Sequence, residues 1–476
     1  MSARIVSSGP HRLLPAFAAV GGSLMLLAAF LGDAAPGNAG QLPKDLPKLP
    51  KDLPKLPKDL LPKDLLKLPP VAKATTEAAT WLRRLPLDKV LDKDWQIVKA
   101  KEDLHPGEML LAGNEAALET NNGAVRLAVH GDMCCSIHTT PVLETALILL
   151  PPGDSDLEFA LLRGRIELTN TKAKGAAKIK IRGPGESCEI VLEEPGTKVA
   201  LEIFGRWPRG THFHKVPKPD ERPSISAMLL VLKGEAEVKG PHKHFNLKAP
   251  PGPALIEVDD LGESDAAVKH LDKLPAWATE EGNTDRAKLV KATLAKFRKL
   301  AVAKSVPQAL DELSASDQEV ERTTAIYLMG ATDDLERLGH ALTETKHADV
   351  WNAGVLALRH WIGRAPGQDQ KLFLALTTKG KFKPGEAETT VQLLHSFGDD
   401  DLSRPETYEF LIDLLDNDRL ALRGLAHWHL HRLVPAGRKL AFNPWGSKEE
   451  RTAAVEAWRK LVPPGKLPPK ATVADK

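Results

Sequence analysis

The residues in this chain best suited to chemistry are histidines. "THFH" sets His212 and His214 two apart, and "HKH" repeats the spacing at His242 and His244. On a strand, residues i and i+2 share a face, so four imidazoles could meet and hold zinc, copper or iron. Both pairs sit among Pro, Lys and Gly, the setting of solvated turn histidines, and that is the expectation adopted for them. A third pair, His427 and His431, lies four apart in a helical stretch, a spacing that can ligate zinc. Trp428, His429 and Leu430 intervene where an HExxH motif would need Glu, so this pair is read as packing. The three cysteines, Cys134, Cys135 and Cys188, lack CxxC spacing and are too few for a disulfide scaffold; one bridge to Cys188 is conceivable, and free thiols are the expectation. With no GxSxG, P-loop or GxGxxG phrase, no catalytic, cofactor-binding or metal-ligating residue is assigned.

The composition has to position such residues within ordinary globular material. A chain of 476 residues with 42% hydrophobic and 27% charged side chains is long enough for two or three domains. A formal net charge of +2, without a dense Lys/Arg block, argues against nucleic acid as a partner. The N-terminus runs from Arg4, His11 and Arg12 into an uncharged stretch, Ala16 to Gly32, and then small residues at Gly37 and Ala39. That order reads residues 1–40 as a signal peptide or a membrane anchor. Next comes "QLPKDLPKLPKDLPKLPKDLLPKDLLKLPP", residues 41–70, with a unit recurring at Leu42, Leu49 and Leu56. A period of seven suggests a coiled coil, but interior prolines cost a helix ~3 kcal/mol or more. The segment reads as an extended spacer of ~3.1 Å per residue, solvated by alternating Lys and Asp; a proline-rich ligand for another protein is the rival reading. Residues 71–94 are read as a connecting segment.

From 95 to 261 the pattern turns to short apolar alternations broken by Gly, Pro, Asn and Asp: "AVRLAVHGD", "FALLRGRIELTN", "AKIKIRG", "CEIVLEE", "TKVALEIFG", "MLLVLKGEAEVKG" and "ALIEVDD". Closely spaced strands without helical periods predict an antiparallel β sandwich, jelly roll or β-solenoid. "LLRGRIEL" (161–168) returns as "VLKGEAEV" (231–238), and Gly164 and Gly234 are expected in turn or bulge conformations. On "HTTPVLETALILLPPGDSDLEFALLRGRIEL" and "SAMLLVLKGEAEVKGPHKHFNLKAPPGPALIEV" the region 110–261 resembles the FecR-like family of bacterial envelope domains. The resemblance implies an exported β domain. About fifteen residues precede the apolar run, too few for the cytoplasmic anti-sigma segment of that family, so its signalling role is not carried over. An HxH pair on a β barrel also suits a cupin-like metal enzyme, but Lys215, Lys218 and Pro219 stand where a cupin-type Glu belongs, with Glu221 as a late substitute.

Helical periods dominate after 261. Residues 262–304 are read as connecting helices, with Leu289, Leu294, Phe297 and Leu300 as the apolar register of "DRAKLVKATLAKFRKLAVA". Residues 305–462 are read as helical pairs: "ADVWNAGVLALRHWIG" with "QKLFLALTTKG", "EAETTVQLLHSFG" with "PETYEFLIDLLD", and "RLALRGLAHWHLHRLVP" with "KEERTAAVEAWRKLVP". "LIDLLDNDRLALRGLAHWHLHRL" resembles HEAT-like repeats, which implies an α-solenoid that binds another protein. Trp351, Trp361, Trp428 and Trp458 are expected in its core, and 463–476 as a disordered tail. The expected function is a non-catalytic, exported, membrane-tethered binding or signalling protein of the cell envelope, meeting a protein through its helices and an envelope ligand through its β domain. The alternative is a cupin-like metal enzyme or metallosensor built on His212, His214, His242 and His244.

Overall fold

The computed structural model describes residues 67–75, 80–84, 95–131, 133, 142–182, 187–218, 221–240, 243–259, 268–279, 284–343 and 345–469. The apolar leader, the spacer up to 66, Cys134, Cys135, His242 and the last residues of the tail lie outside that set. Among the described residues no helix is long and apolar enough to cross a membrane. A β-rich N-terminal part is followed by a helical C-terminal region of eleven helices among the described residues.

The strands are β1 (Ala72–Ala74), β2 (Leu82–Arg84), β3 (Gln96–Ile97), β4 (Asp103–Leu104), β5 (Met109–Ala112), β6 (Ala117–Thr120), β7 (Val125–His130) and β8 (Thr145–Leu150). Then come β9 (Leu157–Asn170), β10 (Ala177–Arg182), β11 (Ser187–Leu192), β12 (Lys198–Arg206), β13 (Ser224–Lys239), β14 (His244–Ala249), β15 (Ala254–Asp259) and β16 (Lys269–His270). All seven quoted strand phrases are strands. The β region opens earlier than 95, because β1 and β2 fall inside the stretch read as a connecting segment; at two to four residues, β1 to β6 are too short to show an alternation. The last spacer residues are held as well, with Leu68 O at 3.1 Å from His105 Nδ1 and Pro70 O accepting from Asn121 Nδ2 at 2.7 Å.

These strands form two sheets. One runs β4-β1-β6-β7-β9-β12-β13-β15-β16 and the other β3-β2-β5-β8-β9-β10-β11-β13-β14. Pairing is antiparallel except between β9 and β10, which run parallel. Both sheets share β9 and β13. Of the turn or bulge expected at Gly164 and Gly234, the structure has no turn but an irregular register just before each glycine, with residues 162 and 232 skipped in the pairing; each strand continues through its glycine and bends from one sheet into the other. Residues 157–163 of β9 pair in the second sheet and 164–170 in the first, while β13 crosses the opposite way at Gly234. Both glycines have positive φ, +106° and +86°, which a side chain opposes. Between the sheets lies one apolar core that includes Leu118, Leu127, Leu147, Phe159, Ile179 and Val231.

The helices are α1 (Asp285–Ala303), α2 (Val306–Ser314), α3 (Glu319–Ala331), α4 (Leu335–Thr343), α5 (Ala348–Ile362), α6 (Gln368–Thr378), α7 (Pro384–His395), α8 (Asp399–Leu402), α9 (Pro405–Leu414), α10 (Leu420–Leu433) and α11 (Lys448–Leu461). α1 buries Val290, Thr293, Leu294, Phe297 and Ala301, whereas Leu289 is exposed. At 100° per residue the stripe through 290, 294, 297 and 301 leaves Leu289 off its face. Pairing in the second half is also offset from the sequence reading: α7 packs on α6 and α10, and α9 packs on α10 and α11. Connection length misled that reading, because the short links between α7 and α9 join helices that each have a better apolar partner elsewhere.

The helices are not a separate lobe. Strands β5 and β8 are apolar on both faces: Leu110, Ala112, Leu147 and Leu149 point into the sandwich, and Met109, Leu111, Ala146 and Ile148 point to the helices. Leu82 and Leu111 meet Leu294, Phe297 and Leu328. The result is three layers, sheet on sheet on helices, with a core continuous from β2 to α11.

Candidate functional site

Where the middle sheet meets the helical layer, charged side chains gather in the interior. Glu144, at the start of β8, is 1% exposed at its side chain, and its Oε1 accepts from Arg163 Nε at 2.6 Å and from Arg364 Nη2. Arg163 precedes the β9 corner and Arg364 follows α5. His360 Nδ1 lies 3.7 Å from the same oxygen. Both arginines also reach the C-terminus of α3, where the last carbonyls of a helix lack intrahelical partners and carry its negative end. Arg163 Nη2 donates to Ala331 O at 3.1 Å and Arg364 Nη1 to Gly330 O at 2.9 Å. Trp95 Nε1 donates to Thr332 O at 3.2 Å, and Asp333 receives Trp361 Nε1 at 2.9 Å and Arg364 Nη1 at 3.2 Å.

Burial alone would raise the pKa of Glu144; the charges of Arg364, His360 and Arg163 outweigh it and hold the carboxyl at about 2. Burial draws His360 down to about 4 and Arg364 down to about 10. A carboxylate so far below neutral pH is no proton acceptor for chemistry, and the cavity beside it measures about 10 Å³, room for about one water. The cluster joins two layers and leaves no space for a substrate. A little further along, backbone meets backbone: a Cβ on Gly205 at the end of β12 would lie 2.1 Å from Gly363 O, and Trp207 Nε1 donates to Ile362 O at 3.0 Å.

The histidines expected to be solvated do not converge: His212 and His244 are exposed and His214 half-buried, each beside a different carboxylate. "THFH" is not a strand but the seam against α6 and α7. Phe213 is buried and its N–H donates to Gln392 Oε1 at 2.7 Å, while Gln370 Nε2 donates to His214 O at 2.8 Å. Nε2 of His212 lies 3.5 Å from Asp401, and that of His214 lies 3.5 Å from Glu221, the residue weighed as a late cupin-type ligand. His244 opens β14 and meets Glu237 at 2.6 Å on the neighbouring β13. Among the described residues no three His, Cys, Asp or Glu side chains converge on a metal position. Cys188 is a free, half-buried thiol that burial pushes up to about 11. Trp351, Trp361 and Trp458 are buried; Trp428 instead lies half-exposed between the guanidinium groups of Arg359 and Arg432, at 5.1 and 3.6 Å from its ring.

Sequence reasoning passed over Glu144, Arg163 and Arg364. A signal was present: Glu144 is the one charge in "PVLETALILL", and Arg163 is the basic residue of the repeated phrase. No protein-family model, no curated protein and no solved structure matches this chain.

The buried histidines set an acid limit. His360 stands at about 4, His427 at about 4 and His429 at about 3, all lowered first by burial. With folded values below the unfolded one, the unfolded state binds more protons, so stability is intact above pH ~6.5 and falls as pH drops toward 4. The melting temperature is expected to fall steadily from pH 6.5 to 4, and His360→Leu to flatten that slope by about one proton. A slope unchanged in His360→Leu would assign the loss to other groups.

Proposed function

We propose that this chain is an exported, membrane-tethered, non-catalytic binding protein of the bacterial envelope, with a FecR-like sandwich and a HEAT-like helical array that act as one rigid platform. The observation that carries the reading is a groove of about 330 Å³ at the turn edge of the helical layer, lined among others by Thr343, Lys346, Phe382, Arg419, Arg423 and Trp445. Its walls come from the links that follow α4, α6 and α9, from the first turn of α10 and from the loop before α11. Trp445 is fixed there by donating Nε1 to Thr345 O at 2.6 Å. Its lining carries Lys346, Arg419 and Arg423 against the single acid Asp418, which favours an acidic segment of a partner protein as the occupant. Support for the FecR-like reading comes from the paired glycine corners of the two quoted phrases. Support for the HEAT-like reading comes from the α9–α10 hairpin. The Pro-rich spacer after the apolar leader fits a platform held away from a bilayer.

The test is site-specific photo-cross-linking in a bacterial host, with the cross-linker at Lys346 and, as control, at exposed Lys178 on β10. Discrete protein adducts from position 346 that high salt suppresses are expected, together with digestion of the folded body by protease added to spheroplasts. A body shielded by the cytoplasmic membrane would overturn export. Identical adducts from both positions would overturn the groove.

A further inference from the structure

We propose that His427 and His431 form an open, two-nitrogen site for a divalent transition metal of the copper, nickel or zinc class. Their spacing places the rings one turn apart on the same face of α10, with centroids 5.8 Å apart and planes inclined by 52°. His429, between them, turns to the opposite face and is bound to Leu393 O at 2.7 Å. His212, His214 and His244 are each drawn to a carboxylate. Among the described residues no hydrogen bond engages the ring nitrogens of His427 or His431, so each ring keeps a lone pair for a metal ion. Phe442 packs at 4.8 Å from His427 and restricts that ring, while exposed His431 leaves the remaining coordination positions to water.

The surroundings select the ion. An all-imidazole donor set without a carboxylate suits copper, nickel or zinc and excludes magnesium and calcium. Arg432 lies 3.6 Å over Trp428, and Arg438 Nε donates to His431 O at 3.2 Å. Their positive field opposes any cation, so the pair holds best the ion with the greatest nitrogen affinity, and Cu²⁺ is expected to bind more tightly than Ni²⁺ or Zn²⁺.

The experiment is titration of untagged full-length protein with CuCl₂, read by calorimetry and by the nitrogen hyperfine pattern in electron paramagnetic resonance. His427→Gln, His431→Gln and a His212→Gln control are measured alongside. One Cu²⁺ equivalent with a two-nitrogen pattern is expected to weaken by at least about tenfold in either α10 variant and to stay unchanged in the control. Zn²⁺ is expected to compete weakly and Mg²⁺ not at all. Because His431 is exposed, His431→Gln keeps its melting temperature in metal-free buffer, which separates lost ligation from lost folding. Equal copper affinity and equal hyperfine pattern in wild type and His431→Gln would overturn the assignment.

Discussion

Glu144→Gln is expected to lower the unfolding free energy by about 3 kcal/mol at pH 7. The substitution keeps the side-chain volume and removes the one carboxylate that Arg163 and Arg364 share in the interior. Two guanidinium groups are then left buried with only α3 carbonyls and, for Arg364, Asp333. Removing one partner of a buried pair costs ~3–5 kcal/mol because the remaining charge stays desolvated. The depressed pKa gives a similar size: from an ordinary 4.5 to about 2, at ~1.4 kcal/mol per unit, amounts to roughly 3 kcal/mol. Since the folded value lies below the unfolded one, this contribution is present above pH ~4.5 and is lost as pH falls toward 2. Urea unfolding at pH 7 measures it, and a loss below about 1 kcal/mol would mean that solvent reaches the pair and that the Glu144 cluster adds little to the joining of the two layers. Combining Glu144→Gln with Arg364→Leu should cost less than the sum of the single changes, because the second removes a charge that the first has orphaned.

Gly164→Ala is expected to be at least as severe, with a loss of more than ~4 kcal/mol or failure to fold. Two effects add at this corner. A side chain at φ +106° is strained, and its Cβ would lie 2.3 Å from both Cα and Oγ1 of Thr145. Thr145 cannot yield, because its hydroxyl bridges Arg165 N at 3.0 Å and Arg165 O at 3.1 Å, directly behind the cluster that holds Glu144. Gly123→Ala separates the two effects: Gly123 also has positive φ, +67°, but nothing lies within 4 Å of its Cβ position. That variant should lose only the backbone term of ~1–2 kcal/mol. Thermal unfolding of the two variants side by side decides the matter; equal losses would leave the corner without its steric role.

Local periodicity made much of this molecule legible. Seven strand phrases and α1 stood in the sequence because alternation and a 3.6-residue period are written between near neighbours. Gly164 and Gly234 were conspicuous because the same phrase surrounds both. The short strands β1 to β6 were not legible, since two to four residues carry no period. Nor was the packing of α7 on α10 and of α9 on α11, which joins helices that are not consecutive in the chain.

For the histidines the division is sharper. Spacing alone pointed to His212, His214, His242 and His244 as a group and set His427 and His431 aside. Tertiary contacts reversed the emphasis: carboxylates from α8, the 221 loop and β13 take the described members of the first group separately, while α10 leaves the second pair side by side. Order along the chain, strand and helix type and the β-then-α arrangement were determined by the sequence itself. Which charges share the interior was decided only by the fold, because Glu144 and Arg364 lie 220 residues apart and nothing local couples the strand charges to those at the end of α5. A buried charge is stable only beside a partner, and partners that distant are chosen by how the layers stack.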